Sequence, residues 1–326
     1  MFLFEKADLI TLGQLANAKR EALHGDKTYY VKNLHIDYSN ICTLQCSFCA
    51  YSRKENESGS FELSTEDILN TIRKHADDIE QVHIVGGHHP KLTYAYYTGL
   101  IKSISQEFPH IHIKAFTAIE INYFAKKFNK TVYEILSDFK KCGLASLPGG
   151  GAEILVDAVR EKICEPKGLA QVWLDVHKQA HELGLSSTAT MLFGHVETLA
   201  DRIEHMDKIR ALQDDTKGFT SFVSLVFHPE NTDFENIVPP TAHEILKTVA
   251  ISRLYLDNIP HIKAYWVMMG LPLAQIALNF GADDIHGTVI QENISHMAGA
   301  NSPQGSSVED LELLIISSGR ESVLYL

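Results

Sequence analysis

The sequence predicts an α/β fold: a partial or complete (β/α) TIM-like barrel with an N-terminal helical extension and a C-terminal cap. Three observations predict it. Short β-rich runs alternate with longer helical stretches from about residue 31 onwards, the pattern of parallel strands joined by crossover helices. Glycine- and cysteine-bearing motifs fall just after the strand runs, where a barrel places its functional loops. The 326 residues, 45% of them hydrophobic, suffice for one large core without forcing a second domain.

Residues 1–30 read as the helical extension, 31–282 as the barrel and 283–326 as a cap within the same domain. Strands are expected over 31–38, 82–85, 111–117, 144–147, 187–192, 221–227 and 262–267. Helical periodicity marks 65–75, 94–107, 132–142, 169–183, 199–212 and 242–256. In the last of these helices but two, His177 and His181 sit one turn apart and read as a solvated face, since no His-Glu-x-x-His pattern surrounds them. The final strand run alternates so that His261, Lys263 and Tyr265 share the inner face while Ile262, Ala264 and Trp266 pack on helices. A buried lysine needs an anion. Lys263 therefore either pairs with an internal carboxylate such as Asp283 or Glu292 or awaits an anionic substrate.

Composition excludes several function classes. With 29 Lys and Arg against 41 Asp and Glu, and no basic run, the chain repels a phosphate backbone, so no nucleic-acid partner is expected. Charge follows only four apolar residues at the N-terminus, too few for a secretory signal. The apolar stretch 264–281 is broken by Gly270, Pro272, Gln275 and Asn279, which suits a strand, a turn and a buried helix rather than a membrane span. Five cysteines, an odd number, suit a reduced chain. We expect a cytoplasmic protein with no membrane partner.

Cys42, Cys46 and Cys49 place three thiols in eight residues, with no fourth thiol near in sequence. Structural zinc sites usually take four ligands in paired knuckles. A [4Fe-4S] cube held by three thiolates keeps one iron open to a small molecule. Three further motifs follow expected strands: Val85-Gly-Gly-His-His-Pro90, Pro148-Gly-Gly-Gly-Ala-Glu153 and Phe193-Gly-His-Val-Glu197. Gly86 and Gly87 let backbone approach a ligand, or simply make a turn before Pro90. The glycines at 149–151 lack the spacing of a dinucleotide or phosphate loop, so they either admit a ligand closely, with Glu153 accepting its hydrogen bonds, or open a helix.

The Cys-x3-Cys-x2-Cys spacing, with aromatic Phe48 before the third cysteine, resembles the signature of radical S-adenosylmethionine (SAM) enzymes. The resemblance implies a [4Fe-4S] cluster on Cys42, Cys46 and Cys49, with SAM chelated to the open iron and cleaved by one electron from an external donor. It also implies cofactor contacts at Phe48, Gly86, Gly87, Glu153 and Gly194. In the family the second motif usually reads Gly-Gly-Glu; here His88 stands in the acidic position, which leaves the backbone contact to SAM without its carboxylate.

Longer segments, among them 147–154, 188–197, 212–219, 256–266 and 281–288, resemble the menaquinone-by-futalosine and deazaflavin-cofactor branch of that superfamily. Gly194-His195 and the run from His261 to Trp266 most resemble the aminofutalosine synthases. For that group the resemblance implies addition of the 5'-deoxyadenosyl radical to 3-[(1-carboxyvinyl)oxy]benzoate, ring attack, and loss of a carboxyl carbon as carbon dioxide or bicarbonate. SAM is then a consumed cosubstrate. Two substrate carboxylates need cations or donors, for which Lys263, His195, Arg202 and Arg253 are the candidates; His195, Glu197 and Lys263 form the catalytic set. The alternatives are a dehypoxanthine futalosine cyclase, a deazaflavin-cofactor synthase subunit and, from another class, a non-catalytic zinc protein.

Overall fold

A computed structural model of the chain describes residues 1–325. Within them, ten strands form one sheet: β1 (Lys27–Val31), β2 (Asn33–Asp37), β3 (Gln81–Val85), β4 (His112–Ala115), β5 (Ser146–Leu147), β6 (Ser186–Phe193), β7 (Phe219–Val226), β8 (His261–Lys263), β9 (Asp284–Gly287) and β10 (Glu321–Leu324). Their order is β10-β1-β9-β8-β7-β6-β5-β4-β3-β2, and every neighbouring pair is parallel. The sheet curls into a TIM-like partial barrel, and Leu34 of the edge strand β2 forms a parallel bridge with Ile290, just after β9 near the opposite edge. The helices between strands pack outside, so β2 and β6 are buried almost throughout, on one face by helices and on the other by the interior.

Helix starts follow local chemistry. Ser64, Thr117, Thr131 and Thr198 each cap a helix and exchange bonds with an acidic residue three positions on. The Thr117–Glu120 box opens the helix Ala118–Lys127, which the hydrophobic pattern had not marked, and shortens the preceding strand to four residues. The last strand run is also shorter than expected. After Lys263 the chain leaves the sheet and turns into the helix Trp266–Met269, anchored by the Trp266 indole N–H donating to the Gly287 carbonyl at 2.9 Å.

Both ends of the chain enter the sheet. The stretch expected as a helical extension holds the helices Phe2–Glu5 and Leu9–His24 but finishes in β1, whose Thr-Tyr-Tyr-Val run suits a strand. Residues after 283, expected as a cap, supply β9 and β10, which flank β1 on either side. His177 is fully buried, and both His177 and His181 bond the Ser187 hydroxyl, at 2.8 and 2.7 Å, so the pair anchors a helix to β6 rather than facing water. Among the described residues no helix is long and apolar enough to cross a membrane.

Candidate active site

The site grows from the end of β2. Ile41 bridges to Arg53 and Ser39 to Glu62, so the chain after β2 folds into a closed loop that carries the three cysteines. The loop is pinned to the end of β3: the Gly87 N–H donates to the Ser39 carbonyl at 2.8 Å and the Thr43 N–H to the His88 carbonyl at 3.2 Å. A β-carbon on Gly87 would lie 2.3 Å from the Ile41 carbonyl oxygen and 3.0 Å from the Cys42 β-carbon, so only glycine lets the loop sit there.

Cys42, Cys46 and Cys49 face a cavity of about 330 Å³ inside the barrel mouth, and all five cysteines of the chain are free thiols. The Cys42 sulfur accepts from the backbone N–H groups of Leu44 and His88, both at 3.4 Å. Burial pushes the Cys46 thiol up to about 12, a protonated state that iron ligation would reverse. Among the described residues the only trio of potential ligand atoms all within 4.8 Å is His24, His261 and Asp283. At least one pair of the three sulfurs therefore stands wider than the separation of about 3.8 Å expected around one tetrahedral zinc with bonds of about 2.3 Å. Three free thiols at one cavity mouth, with amide N–H groups donating to the Cys42 sulfur, fit a [4Fe-4S] cluster.

Beside the thiols, the carboxylate of Glu153 pairs with Lys167, whose ammonium lies 4.8 Å from the centre of the Phe48 ring. Burial alone would raise the Glu153 carboxyl, yet Lys167 holds it below its ordinary range. Glu120 lines the same cavity and accepts from the Thr117 N–H and hydroxyl, both at 2.8 Å, the Tyr38 hydroxyl at 2.9 Å and the Gly86 N–H at 3.2 Å. Burial outweighs these donors and lifts it to about 7. His88 stacks on Tyr123 with ring centres 4.5 Å apart, and burial followed by the Lys167 charge depresses it to about 3, so its ring is neutral.

Of the thirteen residues assigned from sequence to catalysis, cofactor, substrate or metal, eight meet at this cavity: Cys42, Cys46, Cys49, Phe48, Gly86, Gly87, Glu153 and Lys263. Five do not line it. Gly194, at φ 91°, and His195 each donate a backbone N–H to Glu197, at 2.6 and 2.9 Å. The His195 ring is buried between Glu197 and the Leu192 carbonyl. Burial raises the Glu197 carboxyl, but His195 and Arg202 overcome it and bring it to about 2. Arg202 reaches both Glu197 and Glu244, at 2.8 and 2.6 Å. Arg253 is enclosed by Asp283 and the carbonyls of Gly281 and Pro260. Neither arginine is available to a ligand as placed. Lys263 does line the cavity, but its internal partner is Asp284 at 2.5 Å, rather than Asp283 or Glu292.

Sequence reasoning missed Glu120, Lys167 and Lys114. The Thr117-x-x-Glu120 box was a readable signal for the first, and the alternation of Ile111, Ile113 and Ala115 with His112 and Lys114 for the third. Nothing local marks Lys167.

A parallel barrel with three thiols wrapped over the end of its first interior strands defines a cluster-bearing enzyme class, and comparison with known proteins gives its family. Residues 36–209 match the model of the radical SAM superfamily and residues 216–319 that of the CofH/MqnC C-terminal region. The chain belongs to the radical SAM superfamily and is an enzyme of that kind. It is 41% identical over 325 residues to the aminodeoxyfutalosine synthase of Thermus thermophilus, covering 98% of this chain and 87% of the relative. It is 36% identical over 329 residues to the enzyme of the same name from Streptomyces coelicolor, covering 97% and 85%. A 5-amino-6-(D-ribitylamino)uracil--L-tyrosine 4-hydroxyphenyl transferase from Methanothermobacter thermautotrophicus is 40% identical over 322 residues, covering 96% and 87%. Among solved structures, methylornithine synthase superposes with a TM-score of 0.78 at 18% identity, covering 98% of this chain and 92% of that one, a likeness of fold.

Proposed function

We propose that this protein is an aminodeoxyfutalosine synthase of menaquinone biosynthesis, acting on 3-[(1-carboxyvinyl)oxy]benzoate and SAM. The observation that carries the reading is 41% identity to the Thermus thermophilus synthase along nearly the whole of both chains. When bound, the [4Fe-4S] cluster, charged by an external one-electron donor, and the SAM consumed as cosubstrate supply the adenosyl radical chemistry. Cys42, Cys46 and Cys49 would hold the cluster. Glycines 86 and 87, Phe48 and the Glu153–Lys167 pair border the space next to it and would orient SAM there. His195 and Glu197 would act by fixing the end of β6, one residue past the cavity-lining Leu192, instead of moving protons on substrate. The five free thiols suit a reducing cytoplasm.

A second reading is transfer of the 4-hydroxyphenyl-bearing side chain from tyrosine to 5-amino-6-(D-ribitylamino)uracil, supported by 40% identity to the archaeal transferase; the CofH/MqnC match keeps a cyclase reaction as a third. Anaerobic turnover of the reconstituted protein with SAM, dithionite and 3-[(1-carboxyvinyl)oxy]benzoate, read by mass spectrometry, separates them. The synthase reading expects an adenosyl group joined covalently to the benzoate skeleton. Free 5'-deoxyadenosine with unchanged benzoate overturns it, and coupling of tyrosine to 5-amino-6-(D-ribitylamino)uracil in a parallel reaction would establish the second.

A further inference from the structure

Lys114 is the unanswered charge of this interior. It projects from β4 into the cavity, in register with His83 on β3 and Ser146 on β5. The other cations nearby are engaged: Lys263 with Asp284, Lys167 with Glu153, Arg202 with Glu197, Arg253 with Asp283. Among the described residues Lys114 has neither an ion pair nor a hydrogen bond. Lys114 is half-buried in the cavity wall, and an amine placed there without an anion is ready to take one from an entering ligand.

The groups that face it point the same way. On β8 and β9 stand Lys263 and Asp284, a pair that leaves no net anion for Lys114. On β3 the buried His83 Nε2 has no partner, and neither does Nδ1 of His286 on β9. His35 on β2 bonds Asp37 at 3.1 Å. His83 and His286 lie well below their ordinary range because of burial, so both rings are neutral, and both line the cavity. One lysine and two unpartnered imidazoles thus surround a place for an anion. Leu192, Val223, Leu225, Tyr265 and Met268 wall the cavity with apolar surface, which suits a flat aromatic body attached to that anion.

We infer that Lys114 is a specificity residue that binds the ring carboxylate of an aromatic acid substrate. Lys114 lies in the same strand layer as His83 and His35, below the strand ends from which the cysteine loop rises. A ligand anchored there has its carboxylate remote from the thiols and its other end toward them. Resting on the synthase reading, the inference assigns the benzoate group of 3-[(1-carboxyvinyl)oxy]benzoate to Lys114, leaving the vinyl group toward the cluster. Binding energy taken at that non-reacting end would position the reacting one. Burial and then the charge of Lys263 bring the free ammonium down to about 7. Anion binding therefore takes up a proton above neutrality, and affinity falls as pH rises through that range.

The test uses the reconstituted full-length protein with SAM and two probes, 3-hydroxybenzoate and 3-hydroxybenzamide, titrated calorimetrically from pH 6 to 8.5. Wild type is expected to prefer the acid by about 30-fold or more at pH 6.5, with the preference shrinking at higher pH. Lys114→Met should erase the preference while keeping SAM affinity, and Lys114→Arg, which stays charged, should retain it and flatten the pH profile. Undiminished preference in Lys114→Met, or none in wild type, overturns the inference. A lysine-dependent preference without adenosylated product from the full substrate would sink the synthase reading and leave Lys114 as an aromatic-acid site. Product formation with a Lys114→Met variant that still prefers acid over amide would do the reverse.

Discussion

Replacing Gly87 by alanine asks whether the end of β3 and the cysteine loop are locked as one unit. The added methyl would lie 2.3 Å from the Ile41 oxygen and 2.7 Å from its carbonyl carbon, where ordinary contacts begin near 3.4 Å, so about 1 Å of room has to be created. Both obstacles are backbone. Neither side yields easily, because the Gly87 N–H is bonded to Ser39 and its carbonyl accepts from the Tyr38 hydroxyl at 3.0 Å. Overpacking of this kind costs about 1–3 kcal/mol, and a shift of about 1 Å exceeds the roughly 0.5 Å tolerance of a functional constellation. We expect a folded barrel with unchanged far-ultraviolet circular dichroism, a lowered melting temperature, and less than half the wild-type iron and sulfide after anaerobic reconstitution. Gly99→Ala is the matched control. Nothing lies within 4 Å of its added carbon, and it sits inside the helix Tyr94–Glu107, so it should stabilise by about 0.5–1 kcal/mol and leave cluster content intact. Full iron and sulfide in Gly87→Ala would refute the idea that this contact sets the cysteine loop.

Alanine at Cys42, Cys46 or Cys49 should abolish stable cluster assembly, whereas Cys142→Ala and Cys164→Ala should retain it; full iron content in Cys46→Ala would remove that thiol from the ligand set. Glu197, held at about 2 against an ordinary 4.5, stabilises the fold above pH 4.5, and the contribution of roughly 3 kcal/mol is lost as pH falls toward 2. In urea unfolding, the gap between wild type and Glu197→Gln should therefore close between pH 5 and pH 2.5, and a gap constant to pH 3 would contradict this. Lys263→Met leaves Asp284 buried and unpaired and should cost about 3–5 kcal/mol. Adding Asp284→Leu should recover much of that loss in a double-mutant cycle, and strictly additive losses would show that the pair is not coupled.

Much of the frame was legible because its signals are local. Strand and helix alternate within windows of ten to twenty residues, and the cysteine spacing is complete within eight. The ends of the chain were less legible. β1 is held between β9 and β10, and β10 pairs with β1 alone, partners hundreds of positions apart in sequence, so no window contains the cause. The short β5, two residues long, carries almost no periodic signal of its own and is defined by its neighbours.

The charges show the same division. Arg253, Arg202 and Lys263 were candidate carboxylate binders in sequence and Lys114 was missed, and what separates all four is which anion each meets. Asp283 and Asp284 are adjacent, but consecutive residues of an extended chain point to opposite sides; one meets Arg253 and the other Lys263. That places one carboxylate in the layer beneath the helices and one beside the cavity, each already matched. Lys114 is left over, on a strand where Ile113 and Ala115 pack outward against helices. Stability alone would favour an apolar residue at such a position. An ammonium kept there, facing two unpartnered imidazoles, is better explained by what enters the cavity than by what holds the barrel together.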